Sequence, residues 1–295
     1  MDSYIFINNK LVREKSAAVS INDAGFLYGD GIFETLRSYN GYVFMLEAHL
    51  QRMFHTLKIL RYKFDFDKSY VKYSIDKVIS GNNLKSREAY IKIIVTRGPY
   101  RERFNIDSSF KPNLIIIAHK LISYPEKDYR NGIKIITSSL KRDALGNNLY
   151  MYKLINYFEN IFAKNEALRN SAKEAIFLTK DHIILEGATS NIFFVKDSTV
   201  YTTPLTQNIL PGITRAQVIE LCKENKIKLR QRRIHYFDIK ESDEIFLTNS
   251  IMEIIPVCQI DKYRVIDKVP GNITKKIMNL YKEKVNCLME MEHKP

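Results

Sequence analysis

Glycine is scarce in this chain. Eleven occur in 295 residues, where an average protein carries roughly 7%. The scarcity excludes collagen-like and glycine-rich linker architectures, and it implies that each retained glycine sits where the backbone has no alternative. Three of them, Gly25, Gly29 and Gly31, fall in one short stretch. Cysteine is scarcer still. Cys222, Cys258 and Cys287 are too far apart for a paired metal knuckle, and an odd, sparse set fits a reducing compartment better than a disulfide framework. No metal is expected. No apolar run approaches the roughly 18 residues needed to cross a bilayer, and Met1-Asp2-Ser3-Tyr4-Ile5-Phe6-Ile7 lacks the basic region and long apolar core of a secretion signal. The expectation is a cytoplasmic protein without membrane contact.

Acidic residues are outnumbered: 33 Asp and Glu stand against 46 Lys and Arg, a net charge of +13. Such a balance raises the question of an acidic partner. Its distribution argues against nucleic acid, because the lysines are scattered. The densest run, Lys226-Ile227-Lys228-Leu229-Arg230-Gln231-Arg232-Arg233, alternates charged with apolar residues as a half-buried strand does. What is present in quantity is apolar side chain, 45% of residues, enough to bury a large core.

The apolar runs at Tyr4–Ile7 and Leu11–Val12, split by Asn8-Asn9-Lys10, predict a hairpin. Asn40-Gly41 between 32–39 and 42–46 predicts a stronger one. Leu46, Leu50, Met53, Leu57 and Leu60 recur at helical spacing, so 47–60 reads as an amphipathic helix with Arg52 off its apolar stripe. A second helix near 67–79 precedes strands at 88–97 and 112–119, and Ile122-Ser123-Tyr124-Pro125-Glu126-Lys127 reads as a connector. Beyond it, strands near 132–139, 174–179, 183–186, 191–196, 199–203, 226–234, 243–248 and 254–260 alternate with helices near 155–168, 213–225 and 271–291. That is an α+β pattern.

Three polar segments interrupt these elements. Leu210-Pro211-Gly212-Ile213-Thr214-Arg215 opens a helix, whose free N–H groups and dipole suit an anion, although an ordinary helix entry also explains it. Phe246-Leu247-Thr248-Asn249-Ser250 ends a strand with three polar residues, as a turn requires. Leu185-Glu186-Gly187-Ala188-Thr189-Ser190-Asn191 puts Glu186 at a strand end, where a buried acid needs a partner.

Taken together, the segments resemble a known family. YGDGIFETLR at 28–37, EAHLQR at 47–52, KLINYFENIFAK from Lys153, EGATSN at 186–191, ILPGITR at 209–215 and FLTNSIMEIIPV at 246–257 look like the class IV aminotransferases, the fold-type IV pyridoxal 5′-phosphate enzymes. The resemblance runs in order from about residue 4 to 260. It implies a small N-terminal α/β domain (1–121), a linker (122–130) and a larger, β-barrel-like α+β domain (131–295), with the cofactor in the cleft and a homodimer as the assembly.

Site roles follow from the resemblance residue by residue. Lys153 matches the lysine that forms the Schiff base and shuttles the proton. Glu186 matches the acid on the pyridine nitrogen, where a carboxylate keeps the ring an electron sink. Arg52 matches the arginine on the phosphate, which a planar guanidinium binds through two oxygens. Gly212, Ile213, Thr214 and Thr248 match the other phosphate donors, and Tyr157, Ser190 and Asn191 complete the expected cofactor set. On the substrate side the resemblance places Tyr28, Phe33, Arg37, Tyr90, Lys92, Asn249 and Ser250, with Arg101 and Arg103 as a loop-borne carboxylate clamp.

The well-known D-amino-acid enzymes carry a tyrosine where this chain has Phe33 and an Arg-x-His pair after the TRG strand, and 97–103 has no histidine. Branched-chain enzymes commonly show FEGIR and Thr-Gly-Thr, where this chain has FETLR and Thr248-Asn249-Ser250. The resulting expectation is an aminotransferase acting between an apolar, branched-chain-like amino acid and a 2-oxo acid such as 2-oxoglutarate. The alternatives are 4-amino-4-deoxychorismate lyase, which eliminates pyruvate to give 4-aminobenzoate, and a D-amino-acid transaminase with a non-standard carboxylate site.

Overall fold

In the computed structural model, which describes residues 3–100, 102, 104–108, 111–143, 146, 148–265 and 269–292, the split apolar runs form the predicted hairpin of β1 (Tyr4–Ile7) and β2 (Lys10–Arg13). A short helix, α1 (Ala24–Tyr28), is capped by Asp23, which accepts from the Gly25 N–H at 2.7 Å. β3 (Gly31–Tyr39) and β4 (Tyr42–Val43) make the second hairpin. Asn40 and Gly41 both take positive φ, 48° and 88°, the geometry that matches the twist of the flanking strands.

α2 (Leu46–Ile59) and α3 (Lys68–Gly81) follow, and Asp67 caps α3 by accepting from the Tyr70 N–H. β5 (Ala89–Thr96) and β6 (Asn113–Lys120) complete an antiparallel sheet in the order β2-β1-β6-β5-β3-β4. One face buries Ile32, Leu36, Ile91, Ile93, Val95 and Ile116 against Leu50, Met53 and Leu57 of α2 and Val71, Ile75 and Val78 of α3. The period-two alternation therefore turns Phe33, Thr35 and Arg37 to the opposite face.

By internal contacts the chain divides into two units. The first takes Met1–Ile122, Tyr152–Asn156 and Glu292–Pro295, and the second takes Ser123–Met151 and Tyr157–Met291. Beside the expected division into 1–121, 122–130 and 131–295, this grouping moves Tyr152–Asn156 and Glu292–Pro295 to the first unit and the linker from Ser123 onward to the second. Tyr152–Asn156 groups with the first unit because Leu154 bridges Ile32, with Phe33 N–H donating to the Lys153 carbonyl at 2.8 Å and Ile155 N–H to the Gly31 carbonyl at 3.0 Å. The later half of the expected linker is helical: α4 (Glu126–Asn131) is held in the second unit by Tyr129 on the Met252 carbonyl and by an ion pair between buried Asp128 and Lys173.

The second unit continues with β7 (Ile133–Lys141), α5 (Phe158–Arg169), β8 (Glu174–Leu178), β9 (Ile184–Gly187), β10 (Asn191–Lys196), β11 (Thr199–Thr202), α6 (Ile213–Glu224), β12 (Leu229–Gln231), β13 (Glu244–Asn249), β14 (Glu253–Ile260), β15 (Tyr263–Arg264) and α7 (Asn272–Glu292). Its mixed sheet runs β12-β11-β10-β13-β14-β7-β8-β9, with β15 paired to β14. This is the expected α+β arrangement. α5 packs on the sheet through Ala163 and Ala167, small side chains that let the helix approach closely, and it leaves Phe158, Ile161, Phe162 and Leu168 exposed. The strand expected over 226–234 shrinks to β12. Ile227 and Leu229 are half-buried between exposed Lys226, Lys228 and Arg230, so the alternation is real, but pairing with β11 covers three residues.

Candidate active site

Two of the three clustered glycines, Gly29 and Gly31, let the segment that carries Lys153 approach the start of β3. A Cβ on Gly31 would meet Ile155 Cδ1 at 2.5 Å and the Val95 carbonyl oxygen at 3.0 Å. Gly29 has φ +70°, and a Cβ there would sit 2.9 Å from Asn156 Cβ. Gly29→Ala is therefore expected to cost about 1–2 kcal/mol through left-handed backbone strain. Gly31→Ala should cost less stability, because the nearest obstacle is the flexible end of Ile155, at the expense of displacing the segment that carries Lys153. Urea unfolding of the two variants checks the contrast.

Lys153 Nζ lies 4.5 Å from the Phe33 ring centroid, and Lys92 Nζ lies 4.8 Å from the same ring. Two cations thus flank one apolar wall. Burial pushes the Lys92 ammonium below the ordinary lysine range and the Tyr90 phenol above its own. Cross-strand register pairs Lys92 with Thr35 and Tyr90 with Arg37. Arg37 itself is engaged by Glu88 at 2.9 Å and lies over the Tyr39 ring. Tyr28 stands at the end of α1, its ring 5.1 Å from Phe104 and 6.2 Å from Tyr100. The clamp residues Arg101 and Arg103 lie outside the described residues.

On the helix-covered face, Arg52 is not free of the core as its place off the stripe suggests. Its Nε and Nη2 donate to the two oxygens of Glu34 at 2.8 and 2.6 Å, and His49 Nδ1 lies 2.8 Å from the same carboxylate. Glu34 and His49 are almost completely buried. Burial works to raise the Glu34 carboxyl, yet Arg52 first and His49 second bring it down to about 2. Burial lowers His49, and the Arg52 and Lys153 charges add to that against the pull of Glu34. A second anchor is Asp30, which accepts from Tyr62 at 2.8 Å, from Arg97 Nε at 2.6 Å and from Tyr100. Burial raises its carboxyl, but the donors outweigh it and leave it lowered. Glu34, His49 and Asp30 lie within motifs evident in the sequence, but their pairings become visible only in three dimensions.

In the second unit Glu186 is buried and sits 3.3 Å from Arg142 Nη1, 3.1 Å from the Leu210 N–H and 3.4 Å from Asn191 Nδ2. Asn191 also donates to the Leu210 carbonyl at 3.1 Å, and a Cβ on Gly212 would fall 1.9 Å from its Oδ1. Only glycine at 212 lets the start of α6 approach Asn191 this closely. In the sheet Asn191 lies opposite Thr248. Glu186, Asn191, Gly212 and Thr248 are thereby linked into one locus.

Tyr157 donates its hydroxyl to the Ala188 carbonyl at 3.0 Å, and Asn160 donates to the same oxygen. Asn249, expected on the substrate side, is held at the end of β13 by its own side-chain hydrogen bonds. Its amide donates to the Thr189 carbonyl and its oxygen accepts from the Ile251 and Met252 N–H groups, so it forms the turn, and Ser250 follows within that turn.

A family model described as amino-transferase class IV matches residues 31–260. The chain belongs to the class IV aminotransferases. This aminotransferase is 37% identical over 279 residues, 95% of each chain, to the putative branched-chain-amino-acid aminotransferase of Methanocaldococcus jannaschii. It is 31% identical over 285 residues, 97% of this chain and 96% of the relative, to the aminodeoxychorismate lyase of Bacillus subtilis. Its fold superposes with a TM-score of 0.90 on the branched-chain amino acid aminotransferase of Escherichia coli, at 30% identity over 96% of this chain and 94% of that one. Among the described residues no helix is long and apolar enough to cross a membrane.

The family's cofactor is pyridoxal phosphate, and a similar branched-chain aminotransferase has been solved with pyridoxamine 5′-phosphate. The residues of this aminotransferase fit that group. The Thr248 and Ser190 hydroxyls are buried with no hydrogen-bond partner among the described residues, an arrangement costly to keep without a ligand. α6 begins at Gly212 without a side-chain cap, leaving its first N–H groups for an anion. The buried Glu186 carboxylate suits a ring N–H.

Proposed function

We propose that this aminotransferase exchanges amino groups between an apolar, branched-chain-like amino acid and a 2-oxo acid, with 2-oxoglutarate as the acceptor. The observation that carries the reading is the Phe33 ring flanked by the Lys153 and Lys92 ammonium groups. It offers an apolar wall for a side chain, one lysine for proton transfer and one cation for a carboxylate. The higher identity to the branched-chain relative than to the lyase supports it.

In this reading the α6 start at Gly212, Ile213 and Thr214, together with Thr248 and Arg52, holds the phosphate. Because Glu34 already neutralises Arg52, the helix N-terminus and hydroxyls carry much of the anion binding. Glu186 accepts from the ring nitrogen, and Tyr157, Ser190 and Asn191 complete its surroundings. Bound pyridoxal phosphate supplies an electron sink for the pair left when Cα loses its proton. Lys153 Nζ would hold the cofactor and, once the substrate amine displaces it, would take the Cα proton and deliver it to the bound group. Phe33 keeps water from this lysine, and Lys92 orients the substrate carboxylate.

A half-reaction screen tests the reading. L-leucine and L-glutamate are expected to discharge the visible band of the bound cofactor, and D-alanine to leave it. Discharge by D-alanine alone would overturn the assignment. The lyase relative favours a second reading, for which the matching assay is release of 4-aminobenzoate from aminodeoxychorismate without consumption of a 2-oxo acid.

A further inference from the structure

Arg142 is an arginine that no sequence motif marks, yet its guanidinium is held on every nitrogen. It is 4% exposed and follows the end of β7. Its Nε donates to Glu159 at 3.1 Å, its Nη2 to Asn160 Oδ1 at 3.1 Å and its Nη1 to Glu186 at 3.3 Å. The guanidinium carbon lies 3.5 Å from the Phe177 ring centroid and 4.5 Å from that of Tyr150. Hydrogen bonds fix its plane and two aromatic rings bracket it, so reorienting it would require several groups to move together.

We infer that Arg142 is a positioning residue that keeps the Glu186 carboxylate ionised and aimed at the cofactor's ring nitrogen, so that the shared proton stays on the ring. The inference rests on the proposed pairing of Glu186 with that nitrogen. A carboxylate this deeply buried favours its neutral form unless a cation stands beside it. Among the described residues, Arg142 is a cation within 4 Å of Glu186, while the Leu210 N–H and the Asn191 amide are neutral donors. Arg215 of α6 contributes at longer range, its guanidinium bound to the Thr203 carbonyl and Gln231. Glu159, half exposed on α5, also pairs with Arg142 and offsets part of its charge.

The same network ties the carboxylate to the turn that follows it. Asn160 accepts from Arg142 through Oδ1 and donates through Nδ2 to the Ala188 carbonyl at 2.6 Å, the oxygen that Tyr157 also binds. One arginine therefore fixes both the charge of Glu186 and the place of the backbone two residues beyond it.

The test compares holoenzyme variants Arg142→Gln, Arg142→Lys and Glu186→Gln by pH titration of the bound cofactor's absorption, alongside the pH profile of kcat and thermal melting. Arg142→Gln should move the acidic limb of both profiles upward by about one pH unit or more, and Arg142→Lys, which restores a cation, should return it most of the way. Glu186→Gln should abolish that limb. If Arg142→Gln lowers melting temperature but leaves the limb at its native position, while Glu186→Gln abolishes it, the inference about Arg142 fails and the Glu186 pairing stands. If Glu186→Gln leaves the limb unchanged, the pairing itself fails, and the inference with it. Should Arg142→Gln not fold, a native-like limb in Arg142→Met or an unrescued shift in Arg142→Lys decides against the inference in the same way.

Discussion

Lys153→Ala is expected to lose turnover by about 10³-fold or more, since in the proposed reading it removes both the covalent attachment and the proton carrier. The fold should survive. The bonds that join this segment to β3 run through the Lys153 carbonyl and the Ile155 N–H, both of which alanine keeps, and the lysine side chain is only half-buried. Single-turnover kinetics beside far-ultraviolet circular dichroism separates the two effects. Native secondary structure with no amino transfer is the predicted outcome. Full turnover by the variant would remove Lys153 from the reaction.

Glu34→Gln should produce the largest stability loss, about 3–5 kcal/mol, because it leaves the Arg52 guanidinium beside a buried neutral amide. The sign of the pH dependence follows from the lowered carboxyl. In the unfolded chain Glu34 titrates near 4.5, and in the folded protein near 2, so the folded state favours the charged form. Its contribution, about 3 kcal/mol by linkage, is fully present above pH 4.5 and is lost as pH falls toward 2. Urea unfolding at about pH 7 and about pH 3 should therefore show a difference between native and variant that shrinks at the lower pH. An equal difference at both values would mean that the carboxylate charge is not what holds Arg52.

Local pattern makes much of the fold legible. α2 lies one residue from its expected start because Leu50, Met53 and Leu57 keep helical period against the sheet, and Asn40-Gly41 specifies its turn through conformations that few other pairs adopt easily. Where pairing is distant, legibility fades. Tyr152–Asn156 joins the first unit through Ile32, more than a hundred residues earlier, so no local signal places it there. β12 is short because an edge strand pairs only as far as its neighbour allows, whatever its alternation.

The site divides in the same way. Composition does not single out Lys153; the resemblance does, and the glycines at 29 and 31 gain their physical reason only when the backbone at Ile155 and Asn156 is seen against them. Arg142 is silent in the sequence because its partner Glu186 is 44 residues away and no spacing rule connects them. Asn249, polar and next to Thr248, reads in sequence as a turn former as well as a substrate-side residue, and only its hydrogen bonds show how it shapes the turn.

In the proposed function, pyridoxal phosphate is carried on Lys153. Reduction of the holoenzyme with borohydride, followed by proteolysis and mass spectrometry, tests it directly. One pyridoxyl label per chain is expected, on the peptide containing Lys153. A label on Lys92, or one spread over the exposed lysines with Lys153 unmodified, would contradict it.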